Sequence, residues 1–204
     1  MSAPLLPPAF SLVTLDPESG AFARAVRAAP RGTAEGTVYW TNREDRLEIA
    51  FILEPETDHG RTLETAHAMT VAVGDALAEL LPAGAQLTFA WPTHVLLGRT
   101  RLGRTRVAEA PSIASLPPPW LVLGVEIRTS MLPGVAATDL AQAIGEHFLV
   151  ELRRLREQGF APIRERWNAR TRAAVGGHER GLDAQGRPLG GGRVEDARNP
   201  AMTD

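Results

Sequence analysis

Phe89-Ala90-Trp91-Pro92-Thr93-His94-Val95-Leu96-Leu97-Gly98-Arg99-Thr100-Arg101-Leu102-Gly103 is the stretch from which the rest of the chain is read. A strand over Gln86 to Ala90 must stop at the Trp-Pro step, because proline has no amide proton for a ladder. His94 to Leu97 is a short apolar strand. Gly98 to Thr100 is a polar turn, and a second strand follows over Leu102 to Ala108. Arg99, Arg101, Arg104 and Arg106 crowd this hairpin, with 99, 101 and, as the alternation allows, 104 and 106 on one strand face. Such a set is either a solvated, arginine-rich edge or a surface that holds a carboxylate or phosphate. Trp91 and Pro92 suit core packing at a strand edge as well as the lining of an apolar pocket. His94 has no second histidine or carboxylate at matching spacing, so it is not read as a ligand or base.

Working outward, the periodicity predicts an α+β domain. A first helix is expected over Pro17 to Ala29, with Asp16 as N-cap, Pro17 at the first helical position and Pro30 closing it. Thr37 to Thr41 reads as a strand. Leu47, Ile49, Phe51 and Leu53 alternate as a half-buried strand should, and the short turn 42–46 makes the two a hairpin. Leu63, Ala66, Thr70, Val73, Leu77 and Leu80 set an apolar stripe on a long helix ending near Pro82 and Gly84. Trp120 to Ile127 is almost continuously apolar, like a central strand. A second long helix carries Leu140, Ile144, Phe148, Leu152 and Leu155 and stops at Gly159; Pro162 opens a last one through Trp167 to about Ala173. The expected fold is a mixed or antiparallel sheet packed by helices on one side.

Composition limits the chemistry. The chain has 204 residues, no cysteine, and arginine for all 22 basic side chains. Thiolate nucleophiles, disulfides and zinc-thiolate sites are excluded, and so are Schiff bases and lysine-borne cofactors. Arginine keeps its proton at working pH, so it cannot take over a lysine's proton transfers. A net charge of −2 gives no electrostatic ground for nucleic acid or anionic lipid as partner. The N-terminal residues lack the charged and apolar regions of a signal peptide, and no apolar run suggests a membrane span, so cytoplasm is the expected location. His59, His67 and His147 show no metal-ligand step, and no metal site is expected.

The Trp91-Pro92 hairpin, together with the order of the elements around it, resembles the catalytic domain of the biotin/lipoate A/B protein ligase family. That domain has a class II synthetase-like fold. The strand at 47–53, the helix at 63–81, Leu121-Val122-Leu123-Gly124-Val125-Glu126-Ile127 and the ending Glu157-Gln158-Gly159-Phe160 all stand where the family has counterparts. The resemblance runs over roughly residues 20 to 174, which assigns 1–175 to a ligase-like catalytic domain. Residues 176–204 are then a Gly-rich remnant with one hairpin at Gly181 to Leu189 and a disordered tail. It implies a ligand site at Trp91, Pro92, Arg99, Gly103 and Gly124, with Arg101 at the position of the catalytic lysine. ATP and biotin or lipoate would be the associated small molecules. Other positions depart from the family pattern: Ala90 replaces the lysine before Trp-Pro, Thr93 and His94 replace Asn and Asp, Arg104 and Glu126 replace glycines, and Arg128 replaces an asparagine that meets the nucleotide. The Gly-Arg-rich loop that closes over the adenylate is missing; Gly32 to Gly36, with Arg31 before it, is the nearest stretch.

The implied function is a degenerate cofactor-attachment protein that binds a small carboxylate or acyl ligand, or its adenylate, with weak or no ligase activity. The alternative is an accessory protein that uses the ligase fold as a scaffold for a protein partner or a homodimer. Neither nucleic acid nor membrane is an expected partner.

Overall fold

A computed structural model describes residues 3–41, 43–55, 62–111, 116–172 and 181–189. The expected tail from Gly190 to Asp204 lies outside the described residues. Seven strands form one sheet: β1 (Ser11–Leu15), β2 (Thr37–Thr41), β3 (Leu47–Leu53), β4 (Leu87–Ala90), β5 (His94–Leu97), β6 (Thr100–Glu109) and β7 (Leu121–Ile127). Their order is β1-β2-β3-β7-β6-β5-β4. Only β1 and β2 run parallel; every other neighbouring pair is antiparallel. Among the described residues the α-helices are α1 (Ala21–Ala28), α2 (Thr62–Leu80), α3 (Ala137–Gln158) and α4 (Ala161–Arg172). None of them is long and apolar enough to cross a membrane.

Helices cover both faces of the sheet, not one. Trp40, Ile49, Phe51, Leu123 and Val125 point into a large core with α2, α3 and α4. Their alternates Tyr39, Ala50, Ile52 and Val122 pack instead against Ala21, Phe22 and Ala25 of α1. The cause is β1, which the sequence pattern did not reveal because its short Ser-Leu-Val-Thr-Leu run is half exposed at the sheet edge. Joining β1 to a parallel neighbour requires a crossover, and α1 is that crossover. The helix also starts later than Pro17. Pro17 begins a turn in which the Ser19 amide donates to the Asp16 carbonyl at 2.9 Å. Gly20, not Asp16, stands at the N-cap, since proline at the second position of a turn suits its fixed φ.

Gly159 ends α3 with φ of 73°, its amide donating to the Leu155 carbonyl at 3.0 Å. That positive-φ backbone, open to glycine because it has no Cβ, turns the chain directly into α4. The three helices on one face are then joined by charge. Glu151 on α3 is almost fully buried and accepts from the guanidinium groups of Arg154 and Arg166. Arg166 reaches on to Asp75 of α2 at 2.7 Å, and Arg170 meets the same carboxylate at 2.6 Å. Deleting the buried carboxylate removes its charge-assisted contacts to both guanidinium groups, each worth about 1.5–3 kcal/mol. Glu151→Ala should lower the unfolding free energy by about 3 kcal/mol in urea titrations, whereas Arg153→Ala, exposed on the same helix, should leave it unchanged.

Candidate functional site

The register of the strands draws one polar line across the face that α1 only partly covers. Ala90 pairs with His94, His94 with Arg104, Arg104 with Glu126, Glu126 with Glu48, and Glu48 with Thr41. Paired residues share a face, so these side chains form a row. The next row, Arg106, Gly124, Ala50 and Tyr39, lies under α1. On the other side of the polar row are the exposed arginines Arg101 and Arg128.

A bulge makes this alignment possible. Val95 pairs with Gly103 but Leu96 pairs with Arg101, so Leu102 is an extra residue on β6. Leu102 is 1% exposed and joins the large core. The extra residue shifts the alternation, which brings Arg101 before the bulge and Arg104 and Arg106 after it to one face. Strict alternation would have separated them. Gly103 is required there for packing: a Cβ would stand 1.8 Å from the Glu126 carbonyl oxygen.

Glu126 is the hub of the row. Arg106 donates to its Oε1 at 2.8 Å and Arg104 to its Oε2 at 3.3 Å. The Arg106 guanidinium also lies 4.2 Å above the ring of Phe22 on α1. Glu48, half buried, accepts from the Ala21 amide at the start of α1; burial, and then the charge of Glu126, push its carboxyl above the usual range. His94 is 5% exposed, and its Nδ1 is 3.3 Å from the Trp91 carbonyl oxygen. Burial lowers its pKa first, followed by the charges of Arg101 and Arg104.

The residues expected to form the site divide. Arg101 stands on the polar face, exposed, with the Arg128 side chain donating to its carbonyl oxygen. Arg99 is exposed at the hairpin turn. Gly124 offers no open floor, because Phe22 fills the space: a Cβ at Gly124 would come within 2.5 Å of that ring. Trp91 follows a separate course. Its indole packs against the core on the α2 side, 5.8 Å from the ring of His67, and Pro92 is buried beside it. The aromatic body gains more from apolar burial than from lining a charged face. Gly32 to Gly36 is the turn between a 3₁₀ segment and β2, with Arg31 exposed. Sequence reasoning missed Arg104, Arg106 and Glu126 as one cluster, and it set His94 aside. Cross-strand partners are remote in sequence, and only the i, i+2 spacing of Arg104 and Arg106 hinted at them.

His67 explains how the C-terminal hairpin is held. The imidazole is fully buried among Trp91, Phe160 and Trp167, and its Nε2 is 2.9 Å from the Gly186 carbonyl oxygen. A carbonyl only accepts, so Nε2 carries the proton and the ring is neutral. Leu182 is buried in the core, and its amide donates to Asn168 Oδ1 at 2.7 Å. Burial pushes the His67 pKa down to about 4. An unfolded histidine titrates near 6.5, so the stabilisation is complete above that pH and is lost as pH falls from about 6.5 to about 4. Wild type should lose roughly 3 kcal/mol across that window relative to His67→Phe, measured by denaturant unfolding at a series of pH values.

Comparison with known proteins gives one family and one fold. A family model described as the biotin/lipoate A/B protein ligase family matches residues 6–134. A biotin protein ligase-like protein of unknown function from a Silicibacter species has a similar structure, with TM-score 0.78 and 24% identity, covering 91% of this chain and 86% of that one. Biotin protein ligase from Aquifex aeolicus aligns with TM-score 0.66 and 14% identity, over 87% of this chain and 90% of the ligase. The same enzyme in complex with biotin and ATP aligns with TM-score 0.60 and 15% identity, over 79% and 78% of the two chains. No curated protein matches the chain.

Proposed function

This chain belongs to the biotin/lipoate A/B protein ligase family, and from that premise we propose that it binds a small carboxylate-bearing ligand on the sheet face beside α1, with weak or no ligase activity. The observation that carries the reading is the cationic surface around one aligned row: Arg104 within it, Arg101 and Arg128 beside it. The solved relative with biotin and ATP bound supports a ligand for the fold. The kind of ligand here is argued from this chain's own arginines.

Arg104 donates to Glu126 at the longer of the two contacts that carboxylate receives. A ligand carboxylate can share that guanidinium, because its five donors serve more than one acceptor. Arg101 and Arg128 supply further positive charge, and neither forms an ion pair among the described residues. Charge-assisted contacts of this kind are the strong ones. Trp91, Pro92, Arg99, Gly103 and Gly124 act behind or beside this surface rather than on it.

The same residues argue against efficient adenylation. A ligase stabilises charge developing on both an acyl carboxylate and a phosphate, with preorganised donors in a site that excludes water. Arg101 keeps the sign of the family lysine but is broad and solvent-exposed. Arg104 puts a long side chain where the family has glycine. Phe22 already occupies the space over Gly124.

Calorimetry with biotin, lipoate, octanoate, propionate and ATP tests the reading. At least one carboxylate should bind, and Arg101→Ala or Arg104→Ala should weaken it about 10- to 100-fold, the range for hydrogen bonds to charged groups. Arg153→Ala should leave it unchanged. Silence from every carboxylate with folded protein would remove the proposal. ATP–pyrophosphate exchange should be undetectable in the unmodified protein, and robust exchange would make it an active ligase.

A further inference from the structure

We infer that Phe22 is the specificity-determining residue of this face: its ring takes the seat of an acyl tail, so the face suits a short-chain carboxylate and gives a long acyl chain no advantage. The inference rests on the reading that a carboxylate binds here. It names the class of ligand, which the arginines alone do not specify.

The sheet has a shallow apolar floor beneath α1. Gly124 and Ala50 are cross-strand partners, with Tyr39 beyond Ala50 and Arg106 beyond Gly124 in the same row. A hydrogen and a methyl group thus lie between two long side chains, and Phe22 fills the space above them. A Cβ at Gly124 would stand 2.5 Å from the ring and 3.1 Å from the Phe22 Cβ, so this side chain lies directly on the strand backbone. The other residues that α1 buries are Ala21 and Ala25, whose methyl groups reach only a short way. Among the three, Phe22 alone takes up volume that a bulky ligand would need.

Two contacts set this seat against the charged row. The Arg106 guanidinium lies 4.2 Å above the Phe22 ring and donates to Glu126 at 2.8 Å. Ala21, the residue before Phe22, donates its amide to Glu48. Along β7, Gly124 is two residues from Glu126, a separation of about 7 Å. A carboxylate bound at the row with its tail toward α1 therefore meets the phenyl ring within a few carbons. A tail pointing the other way passes the exposed Arg101 and Arg128 into solvent. Apolar groups gain affinity only where they leave water, so added methylenes contribute nothing while Phe22 is in place.

Calorimetry on the full chain with propionate, butyrate, hexanoate and octanoate reads the effect of tail length. In the wild type all four should bind within about twofold of one another. Phe22→Ala should leave propionate binding unchanged and bind hexanoate at least about tenfold more tightly than propionate, since each methylene that enters an apolar seat contributes about fourfold. Phe160→Ala, which removes a similarly buried ring from the other face, should keep the flat profile. If Phe22→Ala fails to fold, Phe22→Val makes a smaller opening and should show the same trend. A wild-type affinity that climbs with tail length, a flat profile in the Phe22 variants, or a climb in Phe160→Ala would each overturn this inference while the carboxylate site stands. No binding of any of the four by folded wild type would overturn both.

Discussion

The close approach of β6 to β7 at Gly103 is the contact on which the polar face depends. With no room for a Cβ beside the Glu126 carbonyl, only glycine lets the two backbones meet, and the bulge at Leu102 is accommodated immediately before it. That pairing sets Arg104 opposite Glu126 and, one strand further, His94 opposite Arg104. Shifting the register by one residue would send these groups to the apolar side, against the core under α2 and α3. One backbone constraint thus decides whether the arginines form a surface or scatter.

The two faces of the sheet have different tasks. Toward α2, α3 and α4 the strands present Trp40, Phe51, Val125 and their neighbours, and the ion network through Asp75 and Glu151 holds those helices together. Toward α1 the covering by the described residues is partial, because an eight-residue helix spans only part of a seven-stranded sheet. Phe22 closes the ground above Gly124 and supports Arg106. The charged row begins where α1 ends its cover, near Ala21 and Glu48. Membership of a ligase family describes the scaffold, and the charge pattern beside α1 belongs to this chain.

The C-terminal hairpin shows how a short segment with few apolar residues can still be placed. Asp183 organises the turn by accepting from the Gln185 and Arg187 amides. Leu182 and the Gly186 carbonyl then anchor it on Asn168 and His67. The segment has no core of its own and borrows that of the domain. His67, which has the look of an ordinary helix residue in the sequence, is the group that meets it.

Local pattern was enough to read most of the elements. The apolar stripe of α2, the alternation of β3, the continuous apolar run of β7 and the stop at Gly159 each act within a few residues, so their positions were legible in the chain. The absence of lysine and cysteine likewise removed whole chemistries without any structure. What only the tertiary structure decided was pairing. β1 and its parallel crossover put α1 on the second face, the bulge at Leu102 turned Arg101, Arg104 and Arg106 the same way, and cross-strand register joined His94, Arg104, Glu126 and Glu48. Those contacts link residues 10 to 80 positions apart, and no local periodicity encodes which strand lies beside which.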